Sequence, residues 1–124
     1  MLAARDFVPL LEIDADVHFS GITLDLAVEL EKLEPFGAGN PEPLLGSKDV
    51  EIIYPRILKN AHLKMKLRHK NFSIDAIGFY MADLLEKIGS SAVDAAFTPQ
   101  VNEWERNRNL QLNVKALRPS SNHS

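Results

Sequence analysis

HLKMKLRHK, residues 62–70, alternates so strictly that a β-strand is the conformation it fits. Side chains leave a strand on opposite faces with a period of two, so Leu63, Met65 and Leu67 fall on one side and His62, Lys64, Lys66 and Arg68 on the other. The apolar side predicts a buried core. The cationic side predicts a surface row whose members stand about 7 Å apart. Such a row can meet successive phosphates, and the same pattern also keeps an edge strand soluble.

Working outward, the period of two continues on both sides of this segment. Strands are expected at about residues 50–58, 62–69, 73–79, 92–98 and 108–117, with one helix near 81–88. Five strands with a helix between the third and fourth is the element order of the OB-fold, a small barrel that binds oligonucleotides on its second and third strands. The fold class is therefore mainly β, α+β overall. Upstream, LEIDADVHF at 11–19 alternates as well, placing Leu11, Ile13, Ala15, Val17 and Phe19 on one face and Glu12, Asp14, Asp16 and His18 on the other. Thr23 then stands where a helix N-cap is expected, and Leu26, Ala27, Leu30 and Leu33 recur at helical spacing until Pro35 and Gly37 end the pattern. LEPFGAGNPEPLL at 33–45 carries three Pro, two Gly and one Asn, which excludes a helix or a central strand through it. The chain thus divides into a strand–helix segment at 1–34, a connection at 35–47, a barrel at 48–118 and a tail at 119–124 expected to be disordered.

Composition bounds the function. The chain has 124 residues, 45% of them hydrophobic, enough for one modest core, and no apolar run approaches the ~20 residues of a membrane span. Arg5, Asp6, Glu12 and Asp14 interrupt the N-terminal apolar residues, so no secretory signal is read. The absence of Cys excludes disulfides and thiolate metal sites and fits a reducing cytoplasm. The net charge of -3 conceals an asymmetry: residues 1–51 hold 11 acids against 3 bases, residues 52–124 hold 6 against 11. No acid occurs from Ile52 to Ile74, nor after Glu105. A polyanionic partner for the second half follows from that distribution.

Aromatic side chains supply the other component of a single-strand site, because every base has a face that stacks on them. The candidates are Phe72 in the turn after the cationic strand, Phe79 and Tyr80 after the next strand, and Trp104 in a polar connection before the last; for Phe79 the core is the favoured place. Candidate nucleic-acid contacts are therefore His62, Lys64, Lys66, Arg68, Lys70, Phe72, Tyr80, Trp104, Arg106 and Arg108. His62 and His69, set among cations, suit a phosphate better than a metal. Asp14, Asp16 and His18 share a strand face on which oxygen and imidazole ligands suit Mn or Zn, yet nothing elsewhere completes such a site and a solvated face explains them. GAGN at 37–40 lacks the Lys-Ser or Lys-Thr and the helix of a phosphate-binding loop.

LEPFGAGNPEPLL, HLKMKL, AIGF, NEW and LQLNVKALR, in this order, resemble the C-terminal part of the RecJ family, single-strand-specific DNA exonucleases of the DHH phosphoesterase superfamily. The resemblance covers about residues 12–118. It implies that the first 34 residues correspond to the end of a DHHA1 domain, that the Pro/Gly segment is an inter-domain joint, and that the barrel is an OB-fold. Arg106 stands where that family usually has Gly, and Ala116 where it usually has Asp. The catalytic Asp and His clusters of the family are absent from these 124 residues, so no catalytic residue, metal or cofactor is assigned to the chain. The resemblance implies Mn or Mg for the catalytic core of a full-length enzyme acting 5'-3' in DNA repair and recombination. Expected partners are single-stranded DNA and the remaining domains of such an enzyme, with no membrane. The alternative is a protein-interaction module docking on a partner or on its own catalytic domain.

Overall fold

The structure, a computed structural model, describes residues 15–37, 39–89 and 91–120. A two-residue strand β1 (Ala15–Asp16) and a 3-10 turn (Phe19–Gly21) lead into helix α1 (Leu24–Glu31). Strands β2 (Leu45–Leu58), β3 (His62–His69) and β4 (Phe72–Gly78) follow, then the short helix α2 (Leu84–Ile88), β5 (Val93–Trp104) and β6 (Asn107–Pro119). β3 lies antiparallel between β2 and β4, β4 runs parallel to β6, β6 is antiparallel to β5, and β5 returns to β2. These pairings close a five-stranded barrel with α2 between its third and fourth strands, the OB-fold architecture expected from the element order. No helix among the described residues is long and apolar enough to cross a membrane.

Closure depends on β2, which serves both edges. Leu45–Val50 pairs with β5 while Glu51–Leu58 pairs with β3, and two register shifts, at Ser47/Val50 and Ile53/Arg56, bend the strand between those tasks. Each extra residue increases local twist, which is how a flat ribbon turns a barrel corner. The first barrel strand was expected only from residue 50. Its start at Leu45 reflects long-range pairing of a Gly- and Ser-containing stretch, Leu45↔Phe97 to Ser47↔Ala95, that has no local strand signal.

The inward residues of β3, Leu63, Met65 and Leu67, are buried with Val50, Phe97 and Leu112 in one core. Phe19 and Ile22 belong to the same core, and Val17 and Leu26 pack against it. Thr23 caps α1 as expected, its Oγ1 accepting the Leu26 N–H at 3.1 Å. The strand expected over 11–19 is corrected at its end. Residues 11–14 lie outside the described residues, pairing stops at Asp16, and His18 Nδ1 accepts the Ser20 N–H at 3.0 Å to start the 3-10 turn. The tail also begins later than expected: Pro119 ends β6, and Ser120 is buried with its N–H donating to the Ala92 carbonyl at 2.9 Å. Residues 121–124 are outside the described residues.

In the connection, Asn40 organises the turn. Its Nδ2 donates to the carbonyls of Leu33 and Pro35, and its backbone exchanges two hydrogen bonds with Gly37 at 2.8 and 3.0 Å. The Pro/Gly segment is thus tied back onto the end of α1 by its own polar groups.

Candidate nucleic-acid interface

The outer face of β2, β3 and β4 carries the cationic row. Antiparallel register sets Glu51, Ile53, Arg56 and Leu58 of β2 opposite Arg68, Lys66, Lys64 and His62 of β3. On the other side Ser73, Asp75 and Ile77 of β4 stand opposite Arg68, Lys66 and Lys64. The outward set is the one the alternation predicts, but its cations are not equivalent. Arg68 is bonded through Nε and Nη2 to Glu51, and Lys66 Nζ is 3.3 Å from Asp75. Lys64 and Arg56 have no ion-pair partner among the described residues and line one shallow cleft with Tyr54, Lys66 and Asp75.

At the start of β3, His62 anchors an aromatic group. Its Nδ1 accepts the Tyr80 N–H at 3.1 Å, and its ring meets Tyr80 and Phe79 edge-on at 4.7 and 5.3 Å. Tyr80 is 82% exposed and Phe79 49%, so the core placement considered for Phe79 is incorrect. β4 ends at Gly78, and the side chain beyond it is no longer confined to the barrel interior.

The remaining candidates lie apart from this row. Lys70 and Phe72 flank the β3–β4 turn, both exposed, with Phe72 edge-on to His18 at 5.8 Å. Trp104, expected in a loop, is the last residue of β5 and is 68% exposed. It pairs with Asn107 across a two-residue turn, Glu105–Arg106, in which both residues have positive φ, 48° and 71°. That is the backbone of a tight hairpin turn, kept here without Gly at Arg106. Arg108 turns to α1, its Nη2 3.1 Å from Glu31 Oε1. His69 points inward and is largely buried, with its Nδ1 accepting the Phe19 N–H at 3.2 Å, so that nitrogen is committed within the fold. Burial, then the adjacent His18 ring and Lys70, hold its pKa below the ordinary imidazole value. Among the described residues no group of three His, Asp or Glu side chains gathers as a metal centre would require; Asp14 lies outside them.

Sequence reasoning missed Tyr54 and left Arg56 out of the site. Tyr54 sits in the β2 bulge, 74% exposed, with φ of 52°. A left-handed backbone costs a non-glycine residue about 1–2 kcal/mol. The signal was present in Tyr54-Pro55, because Pro cannot donate to a ladder and inside a strand marks an edge or a bulge.

The family match agrees with this architecture. Residues 13–116 match the family described as the RecJ OB domain. The single-stranded-DNA-specific exonuclease RecJ of Bacillus subtilis (strain 168) is 30% identical over 117 residues, covering 92% of this chain but 15% of that relative's length. A solved structure assigned as an aspartyl-tRNA synthetase from Leishmania major Friedlin superposes with a TM-score of 0.47 at 14% identity, over 88% of this chain and 23% of that one. With the family matched across the barrel and the segment leading into it, the chain belongs to the RecJ OB domain family.

Proposed function

We propose that this chain is the single-stranded-DNA-binding module of a larger RecJ-like exonuclease, holding the strand for a catalytic core outside these residues. The observation that carries the reading is the juxtaposition along β3 of the exposed Tyr80 and Phe79 beside His62 with Lys64 and Arg56, which have no ion-pair partner among the described residues. Cations attract the phosphates by releasing counterions, and aromatic faces take the bases, a combination that tolerates any sequence. Lys66, Arg68 and Arg108 contribute less freely because each must exchange an existing carboxylate partner for phosphate. The catalytic ions, Mn or Mg by resemblance, belong in this reading to the absent core.

Titration of the chain with a labelled oligothymidine at two salt concentrations tests the proposal. Exchanging Lys64 and Lys66 together for Glu should weaken binding and make the slope of log affinity against log salt shallower by roughly 0.7 for each phosphate that is no longer neutralised. Unaltered affinity and slope would refute it. A second reading, docking on another domain or partner, is favoured by the exposed Ile57, Leu58 and Phe79 near one end of the barrel, a surface that a polyanion does not require. Wild type without salt-dependent oligonucleotide binding would support that reading.

A further inference from the structure

We infer that Tyr54 is a base-stacking platform beside the middle of the β3 row, level with Lys64 and Lys66, while Tyr80 stands at the His62 end of the same row. The inference rests on the single-strand reading above and identifies where an unpaired base is received. Among the described residues most left-handed non-glycine positions sit in turns, as Lys59, Asn60, Lys70, Glu105 and Arg106 do. Asp49, at the other register shift of β2, is of a residue type that tolerates this backbone, and its N–H donates to Asp94 Oδ1 at 3.2 Å. Tyr54 has neither excuse. It lies within a strand, it is bulky, and its side chain is exposed rather than packed in the core. Gly would adopt the same backbone at lower cost, so packing does not account for an aromatic ring here.

The bulge also decides where the ring stands. Ile53 pairs with Lys66 and Arg56 with Lys64, leaving Tyr54 and Pro55 opposite the single residue Met65, one residue more than a regular ladder holds. Tyr54 consequently lines the cleft that holds Arg56, Lys64 and Lys66, an aromatic face beside cations. Tyr80, with φ of 58°, stands in the turn after β4 with its ring beside His62, at the start of the row. Same-face residues of β3 advance by about 7 Å, roughly twice the ~3.4 Å advance per nucleotide of a stacked strand. A strand following the row one phosphate per cation is therefore extended, and its unstacked bases are free to lie on the rings of Tyr80 and Tyr54 beside it.

The test is Tyr54→Gly, which removes the ring while accepting the left-handed backbone, with Tyr54→Phe as the conservative partner. Thermal unfolding should show Tyr54→Gly folded and at least as stable as wild type. Its affinity for oligothymidine should fall by about 5- to 150-fold with the salt slope unchanged, and Tyr54→Phe should retain wild-type affinity. On an abasic single strand of equal length, wild type and Tyr54→Gly should bind alike. Equal affinity of the two for oligothymidine would overturn the inference and leave the proposed function standing. A loss of the same size on the abasic strand would also overturn it, because the substitution would then act through displaced cations. Absence of binding by wild type would overturn the proposed function and this inference with it.

Discussion

Acidification should loosen the attachment of the 3-10 turn to the barrel through His69. Its buried Nδ1 accepts the Phe19 N–H, which leaves the proton of the neutral ring on Nε2. Protonation would set a second donor against that N–H. Burial, then His18 and Lys70, depress the pKa from its ordinary value of about 6.5, and Asp49 only partly opposes them. The folded chain thus takes up this proton less readily than the unfolded chain. Above pH about 6.5 neither state carries it and the stabilisation is complete; below that the unfolded state protonates first, and stability falls until the folded pKa is passed. One proton limits the slope to about 1.4 kcal/mol per pH unit. Urea unfolding from about pH 7.5 to about pH 5 should be compared with His69→Asn, whose amide oxygen can accept the same N–H without titrating. Subtracting the two curves removes the contribution of carboxylates and of groups distant from the site. The stability of wild type relative to the variant should decline below pH about 6.5, and the protection factor of the Phe19 amide, its exchange rate taken relative to that of an unstructured chain at each pH, should fall over the same range. A flat difference curve would refute the reasoning.

Leu67→Asp should prevent folding, since it places a carboxylate in a fully buried position, whereas Lys66→Glu should cost about 0.2–1 kcal/mol because it breaks only the exposed pair with Asp75. Equal losses in circular-dichroism melts would mean that the two faces of β3 are exchanged. Arg106→Gly should raise the urea midpoint, by about 1 kcal/mol of stability, because Arg106 holds φ of 71° in the β5–β6 turn. A lower midpoint would show that the Arg side chain contributes more than its backbone costs.

Local pattern determined the course of β3: its alternation, read alone, marks residues 62–69 and the inward set Leu63, Met65 and Leu67, because a half-buried strand must alternate wherever one face is dry. The same alternation already pointed His69 inward, and its cationic neighbours in sequence misled the reading toward phosphate. The cap at Thr23 and the element order of the barrel were equally legible, since each depends on residues close together in the chain. Partnership was decided only in three dimensions. The acid-free window from Ile52 to Ile74 looks like an unopposed run of charge, yet Glu51 and Asp75, just outside its two ends, are brought by strand register against Arg68 and Lys66. Glu31 reaches Arg108 across 77 residues in the same way. Tyr54 shows the limit most clearly: Pro55 marks an edge or a bulge in the sequence, but a bulge is fixed only relative to the strand opposite it, so pairing with β3 decides which of the two it is and where the ring stands.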